Sequence, residues 1–177
     1  MVQAGSPLTQ SRVTGAFWLL CVAGGFYGYF AAKGTHAGQD ALLIAGSAYL
    51  VVTVLLFALL RPVNPTVALL QGAFGVVGIA TSGDGSFYFG VQCILIGYLV
   101  IESTFLPRTI GVLMVLAGIA QLLFFSTLLP TAFTHKFAPI GYATDGVGEI
   151  AMALWLLIMG VNPSRWRAAA ARTSVAV

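Results

Sequence analysis

Long apolar runs alternate with short polar breaks along this chain. The runs cover residues 13–32, 41–60, 65–82, 86–106, 109–129 and 143–162. Each holds 18 to 21 residues, and about 20 are needed to cross roughly 30 Å of hydrocarbon. The pattern predicts an all-α, polytopic membrane bundle of six transmembrane helices, a single domain over residues 1–177. The third run is the weakest, with Gln71 and several glycines and alanines. If it fails to cross, five spans remain.

The breaks carry the expected stop and start residues. Arg61-Pro62-Val63-Asn64-Pro65 ends one helix and opens the next, and Ser82-Gly83-Asp84-Gly85-Ser86 reads as a tight turn. Leu106-Pro107-Arg108-Thr109 is a further turn, and Asn162-Pro163-Ser164 closes the last run. The first run lacks a small-residue cleavage site and is read as a span rather than a signal peptide.

Composition agrees. Of 177 residues, 59% are hydrophobic and 7% charged, where a soluble protein carries about 25% charged residues. Mean hydropathy is +0.96. A soluble enzyme, a disordered chain and a nucleic-acid binder are excluded. Cys21 and Cys93 both fall inside apolar runs and form neither a disulfide framework nor a metal spacing.

The basic residues give direction. With six spans, Arg12, Arg61, Arg108, Arg165, Arg167 and Arg172 fall on one side, and Lys33 and Lys136 on the other. The split predicts an inner-membrane protein with both termini cytoplasmic. The two halves share no internal repeat of the kind many transporters show.

Ionisable residues inside spans are functional candidates. Glu102 and Glu149 lie inside runs, and Asp145 lies in the first turn of the last one. Asp145 and Glu149 are four apart, hence on one helix face. Two carboxyls there do not both ionise easily, so a neutral acid beside a carboxylate is expected. At about 1.5 Å per residue, Glu149 should lie roughly 9 Å below the outer end of its helix, and Glu102 roughly 24 Å below the outer end of its own. The two should not touch. Asp145 also suits the positive end of a helix dipole, and Glu102 could snorkel towards Arg108. Gln92 and Gln121 fall in the same outer half, with His135 and Tyr142 read as loop residues before Asp145.

Aromatics gather there too. Phe26, Tyr27, Tyr29, Phe30, Phe87, Tyr88, Phe89, Phe124, Phe125, Phe133, Phe137 and Tyr142 make up twelve of the twenty-one. An interfacial belt favours Trp and Tyr. Phe dominates here, which suits an apolar cavity whose ring faces stabilise a cation. Trp18 and Trp155 sit mid-helix, to line such a cavity or face lipid.

Motifs for magnesium diphosphate, zinc, nucleophilic serine and phosphate loops are absent. No metal and no cofactor is expected. The helix glycines predict close helix packing, as in Gly24-x3-Gly28, within the chain or against a second copy.

Two segments carry a family resemblance. They are Phe105-Leu106-Pro107-Arg108-Thr109-Ile110-Gly111-Val112-Leu113 with Leu116-Ala117-Gly118, and Gly148-Glu149-Ile150-Ala151-Met152-Ala153-Leu154-Trp155 running on to Asn162. Residues 86–162 resemble a large bacterial family of small multi-span membrane proteins of unknown function. Glu102 departs from that family's pattern, where the position before Ser103 is basic or neutral, and suggests a specialised member. By size and by its few intramembrane acids, the chain also resembles the bacterial membrane-bound terpene cyclases of drimane-type indole sesquiterpenoid biosynthesis. That likeness implies an acid that protonates a terminal alkene or epoxide, and an aromatic cavity that guides the carbocation.

The leading expectation is therefore a membrane terpene cyclase, of isomerase or lyase type, acting on a lipophilic prenylated isoprenoid. Glu149 is the expected proton donor, Asp145 its partner, and Glu102 a second acid or the final base. Phe26, Tyr27, Phe30, Tyr88, Phe89, Gln92, Gln121, Phe125, Tyr142 and Trp155 are the expected substrate-binding residues. A structural or assembly subunit and a small transporter are the alternatives. A transporter should show polar residues at mid-depth on several helices, and this chain shows few.

Overall fold

The computed structural model describes residues 6–81, 85–124 and 131–175. These form seven α-helices, with no strand among the described residues: α1 (Pro7–Phe26), α2 (His36–Leu60), α3 (Pro65–Ala80), α4 (Gly85–Glu102), α5 (Arg108–Phe124), α6 (Thr131–Ile158) and α7 (Pro163–Val175). A π-helical segment, Tyr27–Ala31, extends α1.

Local chemistry sets the helix starts. Ser6 accepts from the Thr9 amide ahead of Pro7, and Thr35 accepts from the Gly38 amide. Asn64 accepts from the Val67 amide ahead of Pro65. Each side chain satisfies an amide that the helix leaves free, and proline at the first position loses nothing. Gly160, at φ +68°, ends α6, with its amide donating to the Trp155 carbonyl.

The first six helices run alternately up and down and close into a ring. Each packs on its neighbours in the chain, and α6 returns to α1. The α4–α5 contact is the most extensive. Glycines bring these two backbones together in antiparallel register, Gly97 against Gly111 and Gly90 against Gly118. Gly24 and Gly28 seat α1 on α2 in the same way.

By length and apolar character, three helices are able to cross a membrane: α1 with its π extension, α2 and α4. A fourth results if α6 and α7, which are bent by 102° to one another, count as one broken span. Helices α3 and α5 are apolar but hold 16 and 17 residues, a rise of about 24–26 Å.

Two sequence expectations change. The last long helix begins at Thr131, not residue 143, so His135 and Tyr142 lie on α6 rather than in a loop. Pro139 sits inside the helix without ending it, and Gly141 lets this early part pack against Phe124 of α5. Beyond Asn162 the chain forms another helix instead of a tail. Asn162 accepts from the Arg165 amide and Ser164 hydroxyl, and Pro163 takes the first helical position. The expected positions Phe125 and Asp84 lie outside the described residues, as does the side chain of Phe133.

The interior is divided by depth. Leu56, Leu59, Leu60, Ile96, Leu99, Val100, Met114, Met152 and Leu156 are completely buried and fill the half nearer α7. The buried glutamines Gln71, Gln92 and Gln121 occupy the middle and the opposite half, while the buried hydroxyls of Ser11 and Ser103 serve backbone groups at the α7 end. The six arginines lie on helices and turns at the α7 end, and Lys33 and Lys136 at the other.

Candidate functional site

The polar interior is built from one or two residues on each of the six ring helices. Glu149 of α6 is partly buried and stands opposite Cys93, with 4.0 Å between Oε1 and Sγ. Cys93 is midway along the 18-residue α4. Glu149 is therefore near mid-depth, deeper than the sequence suggests, because α6 starts about one dozen residues earlier. Trp18 of α1 turns its indole N–H towards the carboxyl, but the geometry falls short of a formed hydrogen bond. No ion pair to Glu149 exists among the described residues.

Asp145 lies one helical turn nearer the aromatic end. Its Oδ1 accepts from Gln121 Nε2 of α5 at 2.8 Å. Asp145 and Gln121 thus form the pair that the sequence placed in one half without joining.

A second polar line crosses the ring at the depth of Glu149. The Tyr49 hydroxyl of α2 donates to Gln92 Oε1 of α4 at 2.7 Å. Gln92 Nε2 donates to Gln71 Oε1 of α3 at 3.3 Å. Gln71 and Gln92 are completely buried. Gly75 makes room for this arrangement, since a Cβ there would meet the Gln92 amide at 2.5 Å. Gly78 does the same for Phe89, whose ring stands edge-on to Tyr49 at 5.2 Å between centroids. Gln71 Nε2, Trp18 Nε1, Thr53 Oγ1 and Trp155 Nε1 are buried without a hydrogen-bond partner, and each such group is costly in an apolar interior.

The remaining expected residues separate into groups. Phe26, Tyr27, Phe30 and Tyr142 are exposed at the aromatic end. Phe26 and Phe30 lie 5.1 Å apart, and Phe30 meets Tyr142 edge-on at 5.8 Å, bridging the π-helical segment to α6. Tyr88 packs beside Phe74 and Phe87. Trp155 is partly buried against the apolar core, towards the α7 end. Glu102 is the last residue of α4 and is exposed at the far end, with no ion pair to Arg108 among the described residues. The geometry joins Asp145 with Gln121, and places Gln92 and Phe89 at the level of Glu149. It leaves Glu102 apart.

Tyr49, Gln71 and Cys93 are members that the sequence does not single out. The signal for Gln71 was an amide inside an apolar helix, which drew notice only as a weakness of the third run. Tyr49 carried no signal beyond being one tyrosine among six.

Among known proteins, residues 84–160 match a family described as a domain of unknown function, DUF4386. This stretch holds α4 through α6, with Gln92, Gln121, Asp145 and Glu149. An uncharacterized protein of Archaeoglobus fulgidus is 29% identical over 126 residues, covering 62% of this chain and 75% of that protein. No solved structure matches. The chain thus resembles a family of unknown function, and the likeness to terpene cyclases rests on layout alone.

Proposed function

We propose that the interior at the level of Glu149 is an acid site acting on a lipophilic molecule that enters from the membrane. The observation that carries this reading is a carboxyl at mid-depth, beside Trp18 and Cys93, with no cation paired to it among the described residues. An isolated carboxylate in apolar surroundings is costly, so such a group serves as a neutral acid. The most concrete form of the reading is protonation-initiated cyclisation of a prenylated isoprenoid. Glu149 gives its proton to a terminal alkene carbon, ring carbon–carbon bonds form, and the final cation returns a proton to a carboxylate. The product is an isomer of the substrate. Asp145, held by Gln121, lies on the same helix face one turn nearer the aromatic end and relays protons to Glu149. The Tyr49–Phe89 pair supplies ring faces beside the path of the cation. The apolar plug of leucines and methionines keeps water from the α7 side.

This reading goes with six crossings, an inner-membrane location and both termini in the cytoplasm, as the six-to-two division of basic residues supports. A short α3 and α5 cross by local thinning of the bilayer or by packing within the ring.

A second reading has an observation of its own. Polar side chains at one depth on α2, α3, α4 and α6 are what a small transporter would carry, with the Tyr49–Gln92–Gln71 line as its recognition element.

The test compares Glu149→Gln, Asp145→Asn and Glu102→Gln on a prenylated substrate, with products separated by mass and retention time. Loss of product with Glu149→Gln, together with a smaller loss with Asp145→Asn, supports the cyclase. Loss only with Glu102→Gln places the acid at the other end. Full activity in all three removes the enzyme reading.

A further inference from the structure

A second candidate site lies at the opposite end of the molecule. A cavity of about 400 Å³ opens where the α2–α3 turn, the end of α4 and the last turns of α7 meet. Its walls are fixed. Helix α7 is bent 102° from α6 and lies across the end of the bundle. It is pinned by Trp166 Nε1 donating to the Leu59 carbonyl at 2.8 Å, and by Arg165 Nη1 donating to the Thr104 carbonyl at 3.2 Å. The Thr173 hydroxyl donates to the Pro62 carbonyl at 2.9 Å.

Two opposite charges line this cavity, Glu102 from α4 and Arg172 from α7. Both are exposed, and neither side chain forms an ion pair or hydrogen bond among the described residues. Around them stand the polar groups of Tyr98 and Asn64, with Val63 and Ala169 as apolar wall. A lone anion here would meet Glu102, and a lone amine would meet Arg172. A ligand carrying both charges satisfies both walls. The level is also telling. Glu102 ends an apolar helix, and with the ring spanning a bilayer as proposed, a helix lying across the bundle end with Arg165, Arg167 and Arg172 exposed falls at headgroup level.

We propose that this cavity binds a phosphoethanolamine group, its primary ammonium on Glu102 and its phosphate on Arg172. A quaternary ammonium is a poorer fit. It needs a cage of aromatic faces, and the lining offers Tyr98 with Phe105, which is 5% exposed. A primary ammonium instead donates hydrogen bonds to the carboxylate, hydroxyl and amide acceptors present. The site is independent of the acid reading, because Glu102 takes no part in the cluster around Glu149.

The test uses the full chain, delipidated in detergent. It is titrated with phosphatidylethanolamine, phosphatidylcholine or phosphatidylglycerol of equal acyl length, and bound lipid is counted by native mass spectrometry. The expected result is phosphatidylethanolamine retained at least several-fold over the other two. Glu102→Gln should remove that preference and favour phosphatidylglycerol. Arg172→Gln should weaken both phosphatidylethanolamine and phosphatidylglycerol. The double charge exchange Glu102→Arg with Arg172→Glu should restore the preference, which separates charge recognition from loss of fold. Arg108→Gln, at the same end but outside the cavity lining, should leave the ratios unchanged. Soluble glycerophosphoethanolamine that displaces the lipid would assign the site to the free headgroup, and failure to displace would assign it to the bilayer lipid. Equal retention of phosphatidylethanolamine and phosphatidylcholine overturns the proposal. So does a wild-type preference for phosphatidylglycerol, or a Glu102→Gln variant with unchanged ratios.

Discussion

Replacing Gly97 by alanine puts a methyl group into the close α4–α5 contact. The new Cβ would stand 2.6 Å from the Gly111 carbonyl oxygen and from Val115 Cγ2, and 2.8 Å from the Val115 amide nitrogen. Two of these three atoms are backbone, so no rotamer change relieves the overlap. Reaching ordinary contact requires α4 and α5 to part by about 0.8 Å, a gap that forfeits a quarter to a half of the dispersion attraction of the atom pairs it separates. Overpacking of this kind costs about 1–3 kcal/mol. The gain in helix propensity offsets roughly 0.5–1 kcal/mol of that. The net loss, up to about 2.5 kcal/mol, lowers Tm by as much as roughly 10 °C in a chain of this size, and the gap from a control that keeps the propensity gain is about 1–3 kcal/mol. Gly25→Ala is the matched control, since nothing lies within 4 Å of the Cβ it would add. It should leave Tm unchanged or raise it slightly. Thermal unfolding of both variants in one detergent, followed by circular dichroism, checks the pair. A Gly97→Ala protein as stable as Gly25→Ala would refute the close α4–α5 approach.

Gln92→Leu removes the acceptor of Tyr49 and the donor to Gln71 together. Hydrogen bonds between membrane helices are worth about 0.6–1.7 kcal/mol each, so a loss of roughly 1–3 kcal/mol is expected in the same unfolding assay, and unchanged stability would show that the line bears no load. Trp166→Phe removes the bond to the Leu59 carbonyl, and trypsin should then cut faster after Arg167. An unchanged cleavage rate would mean that α7 is held by its other contacts. Reporter fusions at the two termini should land on the same, cytoplasmic side, and opposite sides would exclude six crossings.

The all-helical class is legible in the sequence because apolar run length and turn chemistry are both local, whereas the return of α6 to α1 is not. Asn64-Pro65 was read correctly as a helix start. The same pair at Asn162-Pro163 was read only as a stop, although an N-cap followed by proline and an alanine run announces α7 equally plainly. Its low hydropathy sets it apart from the membrane spans. The extra turns at the start of α6 were missed for the opposite reason. His135, Lys136 and Pro139 carry loop signals that the packing of Gly141 on Phe124 overrides. The acids were legible from the sequence as polar residues inside apolar runs. Their surroundings were not. Which of six tyrosines faces Gln92, and which glycine leaves room for it, depends on helix rotation, and apolar positions all round a helix leave that rotation unspecified.

The central claim is that Glu149 delivers a proton to a lipophilic substrate, and isotope transfer reads this directly. The full chain in nanodiscs is incubated in heavy water with an alkene-terminated prenylated substrate, and the products are weighed by mass spectrometry. The expected cyclic product carries a single solvent-derived deuteron bound to carbon, and the Glu149→Gln protein forms none of it. A labelled product formed equally well by Glu149→Gln, or a cyclic product without carbon-bound deuterium, would contradict the claim.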